Sequence, residues 1–274
     1  MSSRFTSPYR KEHRVPGSER KRRAPNSPPA SGFERMPQGS KNSDVVYWDL
    51  RRAIGTMELV PGTPISESAL TEQYGLSRTP VREAILRLVE EGLVDVIPKS
   101  GTFVARIPLS ALRESLVARR ALEEVTVRAA TERASQSDIM QLRAIVQRQQ
   151  EDIDAGKEDQ FHISDIDFHA GIAAAGRYPG IWNMVEQIRM QIERYRRLAL
   201  PQQGRMTHVI GEHSAVLDAI ARRDADKAVK RMHEHLNKLQ LDIAVFRDLW
   251  PSYFIYDPAV DNELLRGEAT GSHR

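Results

Sequence analysis

Two short helical runs joined through a glycine, then two alternating segments around a tight turn, constrain this chain more than any other feature of its sequence. From Val45, the spacing of Val46, Leu50, Ile54 and Met57 predicts an amphipathic helix of about 14 residues, which Pro61-Gly62 stops. Ser66 precedes a short run with Ala69, Leu70 and Tyr74 on one side, closed by Gly75. Ser77 then stands where a new helix needs its N-cap. Pro80 falls in the first turn, where a missing N–H costs little. Val81, Ala84, Ile85 and Leu88 form the stripe of this third helix, which ends near Gly92. Leu93 to Ile97 and Thr102 to Ala105 alternate like strands around Pro98-Lys99-Ser100-Gly101, a β-hairpin wing. Together these make a helix-turn-helix with a wing. The residues left outward at the start of its second helix are Arg78, Thr79 and Arg82. That end of such a helix enters the major groove, where an arginine fork reads guanine or phosphate and threonine reaches phosphate or thymine. Lys99, at the wing tip, is positioned for a phosphate.

Net charge sharpens this reading only once it is divided along the chain. The 274 residues carry a formal +3 and a pI near 9.2. Residues 1–43 hold ten Lys/Arg against three Asp/Glu and are rich in Ser, Pro and Gly, so a disordered basic arm is expected there. The DNA-reading segment 44–106 is close to neutral: seven basic and eight acidic residues lie within 45–106. The basicity therefore belongs to the arm, which would add salt-dependent attraction to phosphate. With no cysteine, disulfides, thiolate metal sites and a Cys nucleophile are excluded. No run approaches a membrane span and no apolar stretch follows the basic N-terminus, so neither a transmembrane helix nor a secretory signal is expected.

Residues 107–250 read as helix after helix, with 251–274 as a C-terminal tail. The candidates are 110–134, 137–155, 159–175, 179–200, 207–223 and 225–249, separated at Gly156, Gly176/Pro179, Pro201/Gly204 and Asp224. The expected fold class is thus mainly α: a winged helix-turn-helix of three helices plus a β-hairpin, then an all-α antiparallel six-helix bundle. On the third bundle helix Asp165 and His169 lie on the apolar face marked by Phe161, Phe168 and Ile172. On the fifth, His213 sits among Val209, Ile210, Val216, Leu217 and Ile220. On the sixth, His235 and His233 flank the Met232/Leu236 stripe, and periodicity does not choose between them. A carboxylate on an apolar face needs a partner or a metal, and one Asp with three His makes a plausible N/O metal site. A single buried histidine is more often a hydrogen-bonded core residue, and an Asp/His pair one turn apart is often a local ion pair. Arg119 points inward on the first bundle helix and needs a carboxylate, either Glu123 one turn on or a ligand.

The string LSRTPVREAILRL over 76–88, with Pro61-Gly62, Glu91-Gly92-Leu93-Val94 and Gly101-Thr102-Phe103-Val104, closely resembles the winged helix-turn-helix of the GntR family of bacterial transcription regulators. The resemblance covers about 60 residues without a gap and implies DNA contacts by Arg78, Thr79 and Arg82, with Lys99, Ser100 and Gly101 in the wing. Ser68 stands where some relatives place a further basic contact. The segment Asp165-Ile166-Asp167-Phe168-His169, then Glu212-His213 and His235-Leu236, resembles the FCD effector domain that follows the winged helix in the FadR branch, and six helices suit its VanR-like subgroup. That resemblance implies Asp165, His169, His213 and His235 as ligands of a divalent metal, zinc foremost, with nickel or manganese also suited. It also places Arg119 in the effector pocket. Where relatives have Gly-Asn-Pro, this chain has Gly176-Arg177-Tyr178-Pro179. The implied protein is a cytoplasmic, homodimeric, ligand-responsive regulator on a palindromic double-stranded operator, with a small organic acid as effector and no enzymatic activity. Two other readings were weighed against it. A metal-dependent enzyme acting on a small organic acid lacks a placed general base, since Asp167 lies on another face from Asp165. A helical dimerisation module without metal would have its histidines satisfied locally.

Overall fold

The computed structural model describes residues 42–202, 204–241 and 243–256; the basic arm and the end of the tail lie outside them. Helix α1 (Asn42–Gly55) buries Val46, Leu50 and Ile54, the stripe its spacing predicts. A short strand β1 (Pro64–Ile65) precedes α2 (Glu67–Tyr74), whose N-cap Ser66 accepts a hydrogen bond from the Ala69 N–H. Gly75 ends α2 in the left-handed conformation at φ 64°, which a residue with a Cβ adopts only under strain. Helix α3 (Arg78–Glu90) starts after Ser77, which holds the extended N-cap conformation without a side-chain cap bond. Strands β2 (Val94–Ile97) and β3 (Gly101–Val104) pair antiparallel, Val94 opposite Val104 and Ile97 opposite Gly101. The wing is not the two-stranded hairpin expected from the sequence: β1 adds a third strand, Pro64 opposite Phe103. Two residues are too few to show a period of their own, which is why the strand was missed.

The wing leads through β4 (Ile107–Pro108) into the bundle: α4 (Leu109–Arg133), α5 (Gln136–Asp154), α6 (Glu158–Ala175), α7 (Pro179–Ala199), α8 (Arg205–Ala221) and α9 (Ala225–Leu241). The six helices expected from the sequence are all present, except that the last, read as 225–249, is described as α9 and a separate α10 (Ile243–Leu249). Residues 251–256, read as the start of a tail, instead form a 3-10 turn (Pro251–Tyr253) and a strand β5 (Phe254–Ile255) that pairs parallel with β4. Phe254 is buried among Ile107, Leu109, Leu112, Ile192 and Tyr195. One aromatic side chain supplies the reason: the burial of its apolar area is worth about 1.5–3 kcal/mol.

The bundle core gathers Val127, Leu142, Phe168, Ile172, Val216, Ile220 and Met232 from α4, α5, α6, α8 and α9. The head has its own core of Val46, Leu50, Ile54, Val81, Ile85, Leu88, Leu93 and Val104, and Met190 of α7 completes it from the bundle side. Helix α7 therefore belongs to both halves. Its fully buried Arg194 donates to the Ala105 carbonyl at the junction, and burial pushes the guanidinium down to about 10. Gly176 lets α6 and α4 approach: a Cβ there would lie 2.9 Å from the Thr126 carbonyl oxygen.

Candidate DNA-reading face and metal pocket

On α3, Arg78, Thr79 and Arg82 are all exposed at the N-terminal end, while Val81, Ala84, Ile85 and Leu88 anchor the opposite side. The helix is held from behind. Arg87 stacks 3.7 Å from the Tyr47 ring centroid and pairs with Asp44 at 2.7 Å, and Arg51 pairs with Glu91 at 2.7 Å. These contacts fix where the exposed arginines point without using them. In the wing, Lys99, Ser100 and Gly101 are exposed, and the Ser100 N–H donates to the Ile97 carbonyl at 3.1 Å across the turn. Lys99 adopts φ 63° in the position where turns of this kind favour glycine. Ser68 is exposed and hydrogen-bonded to Ser66, 2.9 Å away.

The pocket lies inside the bundle. Helices α6, α8 and α9 bring together His169, His213 and His235, all buried, with one ring nitrogen of each within 4.8 Å of the others. Asp165 is 1% exposed, its Oδ1 3.6 Å from His213 Nε2 and its Oδ2 4.0 Å from His169 Nε2. His233, which periodicity left as the alternative, faces away and pairs with Glu124 at 3.0 Å. The His213 ring stacks on Phe168, with centroids 4.1 Å apart.

Each ring is oriented from behind by an oxygen acceptor. His169 Nδ1 donates to Glu123 at 2.5 Å, His213 Nδ1 to Gln149 at 2.9 Å, and His235 Nδ1 to Glu212 at 2.7 Å. Because an acceptor fixes the proton on Nδ1, the lone pair of each ring is left on Nε2. All three Nε2 atoms are buried and unsatisfied, and neither Asp165 oxygen receives a hydrogen bond of good geometry. Burial holds His213 well below its ordinary range and lowers His235, so both rings are neutral ligand donors. Burial raises Asp165, but the Arg196 guanidinium outweighs it and keeps the carboxyl well below the carboxylate range. Three converging imidazole lone pairs, each ring oriented by an outer acceptor, fit a divalent cation; Asp165 lies within 4.0 Å of two of the rings but outside the three-histidine group itself.

Several of these partners carried no sequence signal. Glu123 also takes the Arg119 guanidinium, so the inward Arg119 is answered by the carboxylate one turn on. Burial raises Glu123, yet Arg119 and His169 bring it down to about 2. Gln149 and Glu212 read as ordinary helical polar residues. Arg196 of α7 sits 2.5 Å from Asp165 Oδ2 and is 3% exposed. The Gly176-Arg177-Tyr178-Pro179 segment keeps clear of these groups: Arg177 takes the left-handed position at φ 64° and pairs with Asp138 at 2.9 Å, and Tyr178 lies under Arg133.

A winged helix-turn-helix joined to a helical bundle is the architecture of a DNA-binding regulator. Known proteins agree. Residues 42–104 match bacterial regulatory proteins of the gntR family, and residues 114–238 match the FCD domain. The chain is 32% identical to an HTH-type transcriptional regulator in an unstable DNA locus of Streptomyces ambofaciens, across 81% of this chain and 93% of the relative. It is 27% identical to the HTH-type transcriptional repressor RspR of Escherichia coli K12, across 74% and 89%. Among solved structures it is similar to E. coli McbR/YncC, with a TM-score of 0.63 at 25% identity, covering 77% of this chain and 99% of that one. A GntR regulator from Rhodococcus sp. RHA1 shares the fold, with a TM-score of 0.59 over 75% and 99% of the two chains. The chain belongs to the GntR family: it is a bacterial transcriptional regulator with an FCD domain. No helix among the described residues is long and apolar enough to cross a membrane.

Proposed function

We propose that this regulator binds a divalent metal through Asp165, His169, His213 and His235, and that a small carboxylate effector bound beside the metal sets operator affinity. The observation that carries this reading is the convergence of three buried Nε2 lone pairs whose Nδ1 atoms are already committed to Glu123, Gln149 and Glu212. Zinc, nickel and manganese all suit imidazole and carboxylate donors, zinc foremost. The metal supplies a Lewis-acidic anchor for an oxyanion. Charge supports the carboxylate: Asp165 is paired with Arg196 and Glu123 with Arg119, so an added dication leaves buried positive charge that calls for an anion. Arg119 contributes its charge to the pocket from behind His169, through Glu123.

On the DNA side, Arg78, Thr79 and Arg82 contact base edges and phosphates in the major groove, and Lys99, Ser100 and Gly101 follow the backbone from the wing. A homodimer places two heads on the half-sites of a palindromic operator. A groove lined by Leu116, Val117, Arg120, Glu124 and Leu236 on α4 and α9 is the surface we assign to the homodimer contact. The effector acts only if it binds the DNA-competent and incompetent arrangements with different affinity.

The test is metal analysis of protein purified without a histidine tag, alongside His213→Ala, and mobility shift on the DNA upstream of the protein's own gene. Stoichiometric metal abolished by the substitution, with a sequence-specific shift, is the expected result. Metal-free protein with an unchanged operator complex overturns the sensing half of the reading.

A further inference from the structure

Arg196 differs from the other arginine at the pocket. The Arg119 guanidinium is spent on Glu123, which itself holds His169 in place. Arg196 is equally buried, but its one ion pair runs from Nη1 to Asp165 Oδ2, and its Nε has no hydrogen-bond partner. It therefore keeps an unsatisfied buried donor on the guanidinium that pairs with Asp165, beside the three-histidine cluster. A planar guanidinium in that state is suited to a carboxylate, which it can take through two parallel bonds. The helix that carries it is also singular. Along α7, Met190 closes the apolar core of the DNA-reading head and Arg194 grips the Ala105 carbonyl, at the point where the wing passes into the bundle. Within seven residues, one rigid helix touches the head, the junction and the pocket.

We propose that Arg196 is the residue through which an anionic effector is read, and that helix α7 carries this contact to the DNA-reading head. The inference rests on the metal-and-carboxylate reading above and deepens it. Asp165 is shared between the metal and Arg196. A carboxylate that coordinates the metal and accepts from the unpartnered Arg196 Nε–H draws the guanidinium away from Asp165. Because α7 is a continuous helix over Pro179–Ala199, a displacement at 196 moves 190 and 194 with it. The head then shifts against β4 and the junction core, a rigid-body change of the kind that packed interfaces convert from small movements.

The experiment uses the full chain, zinc as the metal and acetate as the simplest carboxylate probe. Zinc affinity is measured by competition with a chromophoric chelator, with and without acetate, for the wild type and for Arg196→Ala. Hydrogen exchange of the amides around Ala105 and in α1 is followed on the same samples. The wild type is expected to bind zinc more tightly when acetate is present and to change its exchange at the junction. In R196A zinc binding persists, while the acetate enhancement falls by about tenfold or more and the exchange response disappears. Arg196→Lys keeps the charge but not the planar fork. It is expected to retain zinc and lose most of the acetate effect, and it carries the same test if R196A does not fold. An acetate effect of wild-type size in both variants, or none in the wild type, overturns the assignment of Arg196. An exchange response that survives in R196A overturns the role of α7. A wild type that binds no stoichiometric zinc defeats the underlying metal reading instead, and is told apart by the first measurement alone.

Discussion

The two functional regions of this regulator use the same residue types in opposite ways. On the head, Arg78 and Arg82 stand in solvent with no side-chain partner among the described residues, while Arg87 and Arg51 behind them are tied to Asp44, Tyr47 and Glu91. In the bundle, Arg119 and Arg196 are buried and each answers a carboxylate. On the proposed reading, the head keeps Arg78 and Arg82 unpaired because DNA phosphate would be their partner, and water holds them cheaply until it arrives. The pocket cannot do this, since an isolated buried charge is costly. It holds its charges in a balanced set that a ligand must rearrange. Binding at the head is therefore expected to be additive and salt-dependent, and binding at the pocket cooperative among neighbours and insensitive to salt.

The largest effect that tests this contrast is at the pocket. His213→Ala removes a ligand whose ring is wholly buried and oriented by Gln149. Metal affinity is expected to fall by more than the roughly 10–100-fold that loss of an outer-shell partner causes, measured by calorimetry or by metal content after dialysis. Glu212→Gln probes that outer shell directly. Glu212 accepts from His235 Nδ1 at 2.7 Å and from Lys238 at 2.6 Å. The substitution is expected to lower metal affinity by about 10–100-fold with little change in the fold. If it leaves affinity unchanged, the acceptors behind the rings are incidental and the balanced-set picture of the pocket breaks.

At the head the expected losses are smaller and divide by type. Arg82→Ala should cost about 1–3 kcal/mol of operator binding and relax preference at one position of each half-site. Lys99→Ala should weaken all sequences alike and reduce the salt slope by about 1. Competition mobility shifts over a range of salt concentrations separate the two. A sequence-selective loss at Lys99, or a purely uniform one at Arg82, reverses the roles of wing and helix.

The same contrast explains what could be read from sequence. The head is written locally: α1, α3, the Gly75 break and the wing turn each follow from spacing within a dozen residues. Asp165, His169 and His213 were legible because they are polar residues breaking apolar stripes, an anomaly that periodicity displays, whereas the preference for His235 over His233 came only with the resemblance to the FCD domain. Gln149, Arg196 and the roles of Glu123 and Glu212 behind the histidine rings were not legible, because a polar residue near the edge of a helical stripe looks the same whether it faces water or a neighbouring helix. Their role depends on which helices pack together, and that is settled by tertiary contacts. His233 shows the same limit from the other side: its flank was as good as that of His235 until α4 supplied Glu124. The β1 and β5 strands fail for a related reason. Each is two residues long and exists only through a distant partner, Phe103 for Pro64 and Ile107 for Phe254.

The smallest expected effect sharpens the contrast from the surface of the bundle. Asp138 is a counterpart of Asp165: both are held by an arginine from another helix or loop, Arg177 at 2.9 Å and Arg196 at 2.5 Å. Asp138, however, sits at the start of α5 in a capping box. Its carboxylate accepts from the Ser135 N–H at 2.7 Å, and Ser135 Oγ accepts from the Asp138 N–H at 3.2 Å. The Ser135 bonds, helped by Arg177, lower Asp138 to about 2. A carboxyl depressed in the folded state contributes stability above its unfolded value, near 3.8, and loses it as pH falls through about 2. Ser135→Ala is expected to cost about 1 kcal/mol by urea unfolding near neutral pH. The cost of Asp138→Asn should shrink as the pH is lowered from about 5, because the wild type gives up the same interaction by protonation. Neither change should touch metal affinity, since the cap lies at the start of α5 and shares no hydrogen-bond partner with the four residues. A loss of metal binding in Ser135→Ala would show that pocket and helix ends form one coupled unit, and that the division between local and buried charge drawn here is too clean.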